Sequence, residues 1–116
     1  MCHVLIIEDE PLIALAIQGV VEDNGATSTD IVDTQDQAVI SAARRRPGVI
    51  TSDHTLRSGT GPAAVAAIRG ASGPIPVIYI AAMPHQCPPP GPDVRVFGKP
   101  MNHEAVGEAF REFCPA

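Results

Sequence analysis

Basic side chains are scarce in this chain, which has 8 Lys and Arg against 13 Asp and Glu and a net charge of −5 over 116 residues. That balance opposes binding to nucleic acid or to an anionic membrane surface, because both depend on Lys/Arg contacts with phosphates. Any action on DNA is therefore expected to be indirect. Long hydrophobic runs are missing too. The first apolar stretch, Val4 to Ile7, is too short for a membrane span, and no basic segment precedes it to make a secretory signal. Cysteine pairs are also lacking. Cys2, Cys87 and Cys114 are odd in number and show no C-x-x-C spacing, which argues against a disulfide framework or a zinc knuckle and for a reducing, cytoplasmic setting. In the tail Cys-Pro-Ala, Cys114 stands one position off a prenylation box. There is no glycine-rich phosphate loop and no internal repeat.

What is present alternates. At this length one core can be buried without staples and a second domain does not fit, so residues 1–116 read as a single domain. Apolar runs of strand length recur near residues 3–7, 27–32, 48–52, 75–80 and 94–97, separated by segments of helical period. This is the pattern of βαβ units and a parallel sheet. Pro11 suits a first helical position and Asn24-Gly25 a left-handed stop, which predicts a helix over 11–23 with Ile13, Ile17 and Val20 or Val21 facing the core. A second helix is predicted near 35–45, ending in Arg44-Arg45-Arg46, whose charges complement the helix C-terminal dipole. An Ala-rich third follows Pro62 over about 62–71. A last one, near 102–113, places Val106, Phe110 and Phe113 on one face.

One stretch breaks the alternation. Pro84, Pro88, Pro89, Pro90 and Pro92 fall where a helix between the fourth and fifth strands would belong. An interior proline costs a helix about 3 kcal/mol, so an extended loop is expected there, with at most a helical turn near Pro84 to Cys87.

Chemistry gathers at the ends of the apolar runs. Glu8 and Asp9 follow the first, Asp53 ends another and Lys99 the last. A parallel sheet brings the carboxyl ends of its strands to one edge, so these residues can share a pocket suited to magnesium and a phosphoryl group. Each has a plainer reading alone. Glu8, Asp9 and Glu10 could be acids at a helix start, Asp53 a turn residue and Lys99 a solvated lysine. Their joint placement at successive strand ends favours the pocket. Carboxylates so crowded repel, and at least one is expected to have a raised pKa in the absence of metal.

With these residues placed, the chain resembles the receiver domain of bacterial two-component response regulators over nearly its whole length. The resemblance is carried by "VLIIEDEP", by Asp53 in "GVITSDHTL" with Gly61 eight residues later, by "IPVIYIAA" and by the Lys-Pro of "VFGKP". It implies a doubly wound α/β fold with a five-stranded parallel sheet in the flavodoxin-like order 2-1-3-4-5, the fourth helix shortened or replaced by the proline loop. It further implies a single-domain phosphorelay component rather than an enzyme. Asp53 would be the phosphoacceptor, Lys99 would pair with the phosphate, and Mg²⁺ would be held by Asp9, Asp53, the Thr55 backbone carbonyl and, through water, Glu8. Lys99-Pro100 is the expected cis bond. The implied partner is a histidine kinase or histidine phosphotransfer protein, met through Leu12 and Leu15 of the first helix; the downstream protein partner is left open.

The sequence departs from that family at its switch. Ala81 stands where a Thr or Ser hydroxyl normally donates to the phosphate, and Val96 where an aromatic often changes rotamer with it. The expected readout is therefore an ordering or shift of the 82–93 loop. Arg57 replaces a frequent proline, and neither Thr55 nor Met83 offers an acid or amide to position water, so slow self-dephosphorylation is expected. The alternative function is a pseudo-receiver, an interaction domain indifferent to phosphorylation. A small hydrolase using the acid pocket is less favoured, because no second catalytic group is evident. His54 is expected to point away from Asp53 if the strand continues, and His103 to lie on the surface. His85 and Cys87 with Cys2 and His3 lack the spacing of a structural zinc site.

Overall fold

The computed structural model describes residues 2–114 and turns each period of the sequence into an element. These are β1 (His3–Ile7), α1 (Pro11–Asp23), β2 (Ser28–Val32), α2 (Gln35–Arg44), β3 (Val49–Ser52), α3 (Gly61–Ser72), β4 (Val77–Ala81), β5 (Val94–Gly98) and α4 (His103–Phe113). The strands form one parallel sheet in the order β2-β1-β3-β4-β5. The expected order and the α/β class are thus the observed ones.

Strand alternation sorts the core into two layers, because successive side chains point to opposite faces. Val4 and Ile6 of β1 and Ile78 and Ile80 of β4 pack with Ile17, Val21, Val106 and Phe110 of α1 and α4. Leu5, Ile7, Ile50 and Tyr79 pack on the other face against Ala38, Ala42, Val65 and Ile68 of α2 and α3. Both Val20 and Val21 are buried, so the 3.6-residue period settles the choice between them by taking both.

Local chemistry sets the helix ends. Thr34, Thr60 and Asn102 cap α2, α3 and α4 by accepting from the backbone N–H of Gln37, Ala63 and Ala105. Pro11 opens α1, and Gly25 supplies the left-handed stop at φ 111°. Between β4 and β5 there is only a three-residue 3₁₀ turn, Pro84–Gln86, as the prolines dictate. Lys99-Pro100 is cis.

The reading of three unpaired cysteines needs correction. Cys2, at the entry to β1, is joined by a disulfide to Cys114, just past α4, with Cα atoms 6.2 Å apart across a separation of 112 residues. Local spacing carries no signal of this bond, since it depends on α4 returning across the sheet to the start of β1. Cys87 is free, and burial first, then the charge of Asp53, pushes its thiol up. His3 is also accounted for, its ring nitrogens lying 2.8 Å from Ser28 Oγ and 3.0 Å from Asp30 Oδ2. Pro115 and Ala116, which complete the tail reading, lie outside the described residues. Among the described residues no helix is long and apolar enough to cross a membrane.

A bond closing so long a loop restricts the unfolded chain strongly. Reduction with dithiothreitol is expected to lower the urea-unfolding free energy by about 2–4 kcal/mol, and Cys2→Ser to show the same loss without reductant.

Candidate functional site

The carboxyl ends of β1, β3, β4 and β5 lie side by side in that order, with Ile7 opposite Ser52 and Ala81 opposite Gly98. Glu8, Asp9, Asp53 and Lys99 therefore meet at one edge. One carboxylate oxygen from each of the three acids falls within 4.8 Å of the others. Lys99 Nζ stands 3.1 Å from both Glu8 Oε1 and Asp53 Oδ2. Beside them opens a cavity of about 480 Å³ lined by Asp9, Asp53, Thr55, Met83, Gln86 and Lys99, among others.

Backbone and close packing aim the Asp53 carboxylate. Asp53 N donates to Ile7 O at 2.9 Å, tying β3 to β1 at the point of chemistry. The N–H of His54 donates to Asp53 Oδ1 at 2.7 Å, so one oxygen is fixed while Oδ2 faces Lys99. Gly61 opens α3 directly against the Asp53 carbonyl and the Ser52 hydroxyl, where any Cβ would overlap both. That close approach is the physical reason for glycine at this position.

Electrostatics single out Glu8. Its side chain is fully buried, and Oε1 lies at ion-pair distance from Lys99 but off the direction of a hydrogen bond, with no other donor. Burial pushes its carboxyl up to about 7, against the pull of Lys99 and with help from the charge of Asp53. This is the raised carboxyl expected of the cluster. For Lys99, burial acts downward, but its close contacts with the Glu8 and Asp53 carboxylates prevail and hold the ammonium above its ordinary value.

The donor set fits Mg²⁺. Three converging acids, one with a buried oxygen that no hydrogen bond satisfies, are hard oxygen ligands, of which that ion takes one or two directly, the rest of its shell being water and phosphate. Thr55 lines the same cavity, which puts its carbonyl among the candidate ligands.

Some placements differ from expectation. His54 borders the cavity beside Asp53, and β3 ends at Ser52, so the strand continuation on which its turning away depended is not met. Its Nδ1 lies 3.2 Å from Thr55 Oγ1. His103 is exposed. Two residues escaped notice as site members. Glu10 reaches to 3.5 Å from Lys99 Nζ. Gln86 lines the cavity and donates to Met83 Sδ. The run Glu8-Asp9-Glu10 signalled the first, but nothing local signalled the second, since only the 3₁₀ turn carries it there.

The switch positions are as bare as their identities imply. Ala81 is fully buried and contributes only its carbonyl, which accepts from Lys99 N at 3.0 Å. Val96 packs on the α2 and α3 side, while the aromatic beside it, Phe97, lies on the α1 and α4 side.

Glu8 also predicts a pH dependence. Between about pH 4.5 and 7 the metal-free native protein keeps on Glu8 a proton that the unfolded chain has released, so stability is expected to fall as pH rises through that window. Urea unfolding in EDTA checks it. Glu8→Gln should flatten the slope, and Mg²⁺ should oppose it at the upper end.

Comparison with known proteins converges on one family. The model for the response regulator receiver domain matches residues 4–86. The phyllosphere-induced regulator PhyR of Methylorubrum extorquens is 36% identical over 85 residues, which cover 72% of this chain and 32% of that protein. The chain thus spans about a third of the length of that relative. The anti-anti-sigma factor PhyR of Bartonella quintana, solved as a double mutant, is 34% identical with a TM-score of 0.77, over 97% of this chain and 47% of that one. The receiver domain of a sensor histidine kinase from Pseudomonas aeruginosa, solved with a magnesium ion coordinated in its active site cleft, gives a TM-score of 0.84 at 24% identity, covering 99% and 98%. At that identity the likeness speaks for the fold. From the family match and the PhyR relatives together, the chain belongs to the response regulator receiver domain family.

Proposed function

We propose that this domain accepts a phosphoryl group on Asp53 from a phosphohistidine of a histidine kinase or histidine phosphotransfer protein and signals by protein contact. The observation that carries the proposal is the convergence of Lys99, 3.1 Å from Asp53, with three carboxylates on one sheet edge. Glu8, Asp9, Asp53 and the Thr55 carbonyl would hold Mg²⁺. Bound there, that ion would neutralise charge on the transferred phosphate.

The chain's own residues do the rest. The Asp53 carboxylate forms the new P–O bond as the P–N bond of the donor breaks, and the imidazole leaves with that electron pair. The His54 N–H fixes the rotation of the carboxylate so that attack can be in line. Lys99 trades its contact with Asp53 for one with a phosphate oxygen, as a mobile ammonium can. Leu12 and Leu15 are 82% and 56% exposed on α1 beside the site, which suits them to meet the donor protein. Thr55 and Met83 bring no acid or amide to position water, and the Gln86 amide that lines the cavity is engaged with Met83 Sδ, so the phosphoaspartate should be long-lived. A half-life of seconds would contradict this. The Bartonella relative, an anti-anti-sigma factor, supports an output through protein partners, with DNA affected only indirectly.

Ala81 favours a second reading, the pseudo-receiver, in which the fold is kept as an interaction domain and phosphorylation is ignored. The two differ in one measurement. Acetyl phosphate with Mg²⁺, or the cognate kinase, should label wild type but not Asp53→Asn, and EDTA should abolish the label. A folded wild-type protein that takes no label from several donors would establish the pseudo-receiver instead. In the labelled case, beryllofluoride with Mg²⁺ should alter hydrogen exchange and NMR shifts in residues 82–93; an unchanged loop would exclude it as the readout.

A further inference from the structure

The loop between Asp53 and α3 is fastened to the start of α2. Gln35 N donates to Ser58 O at 3.0 Å, and Gln35 Oε1 accepts from Thr60 N at 3.2 Å. Thr34 pairs with Ser58 as an isolated parallel bridge, and Arg57 forms an ion pair with Asp33 at 3.2 Å. Gly59, at φ 81°, leaves free the space that the Gln35 side chain fills, since a Cβ there would overlap its amide. The ion pair is exposed and screened, and the backbone contacts do not depend on side-chain identity. The Gln35 amide is the specific link.

We infer that Gln35 is a positioning residue for the phosphoryl site and the route by which its occupancy reaches α2. The inference rests on the phosphoacceptor reading above. Gln35 holds Thr60, whose Oγ1 caps α3 by accepting from Ala63 N. The next residue, Gly61, donates through N to His54 O at 2.8 Å, and His54 N in turn donates to Asp53 Oδ1 at 2.7 Å. Every step is a peptide neighbour or a hydrogen bond. A change in the carboxylate on phosphorylation therefore pulls on the first turn of α2, toward the β2 edge of the sheet and away from the ends of β4 and β5 where Ala81 and Val96 replace the hydroxyl and the aromatic.

The test compares wild type, Gln35→Leu, Gln35→Glu and Asp53→Asn in the full chain, with acetyl phosphate and Mg²⁺. Leu keeps bulk but accepts nothing, whereas Glu still accepts from Thr60 N. Q35L should be labelled about five-fold more slowly than wild type, the worth of one neutral hydrogen bond, and Q35E should recover to within about two-fold. The Thr60 amide should exchange faster in Q35L than in wild type or Q35E, with no donor present. With beryllofluoride and Mg²⁺, shifts over residues 35–42 should appear in wild type and shrink in Q35L. Gln35→Asn, too short to reach Thr60, replaces Q35L if that variant does not fold. Equal labelling of wild type and Q35L, or Q35E as slow as Q35L, overturns the inference. If wild type takes no label, the phosphoacceptor reading fails, and a Mg²⁺ titration decides the positioning role, which equal affinities in wild type and Q35L would overturn.

Discussion

The Lys99 ammonium, set among the carboxylates of Glu8, Glu10 and Asp53, is the contact on which the sheet edge depends. Without a cation, converging acids repel across the strands that must pair there, and Glu8 has no water to dilute its charge. One lysine serves several acids imperfectly. It sits at ion-pair distance from Glu8 without a hydrogen bond, and that carboxyl stays near the middle of the physiological range instead of fully ionised. The shortfall is what a second cation would relieve, and under the proposed function an incoming phosphate would then balance both positive charges.

The fold was legible in the sequence because its signals are local and repeated. Period-2 and period-3.6 apolar patterns, Pro11, Gly25 and Pro62 each act within a few residues, and predicted boundaries shifted by at most two positions at each end. The acids and the lysine were legible for a topological reason. A parallel sheet puts every strand's carboxyl end at one edge, so position along the chain maps onto position in the site. What escaped depended on contacts between distant segments with no period of their own. The Cys2–Cys114 bond needs the return of α4, and the Gln86 placement needs the path of a proline turn. The reading of His54 depended on strand alternation reaching two residues beyond Ser52, where β3 ends.

Phe97 shows how a one-residue offset changes a mechanism. An aromatic is present in β5, yet strand alternation turns it toward Met101 and the α1 and α4 layer, and Val96 faces the other layer. A rotamer exchange with the residue at the end of β4 needs a side chain of the right face and a hydroxyl to follow. Neither is here, since Ala81 offers only its carbonyl, already taken by Lys99 N.

The missing partners do not leave the site isolated, because coupling requires contiguous bonds and not a particular set of residues. On the β5 side the connections are the Lys99 ammonium, 3.1 Å from Asp53, and the backbone bond from Lys99 N to Ala81 O. On the β2 side the acceptor loop is bound to α2 through a side-chain amide, two backbone contacts and an ion pair. Hydrogen bonds are short-ranged and directional, so a displacement of a few tenths of an ångström at Asp53 breaks or strains this clasp before it disturbs the apolar layer beneath. With Asp53 as the proposed phosphoacceptor, the inferred path toward α2 stays open, and Ala81 and Val96 in place of the usual switch residues amount to a change of route more than a loss of communication.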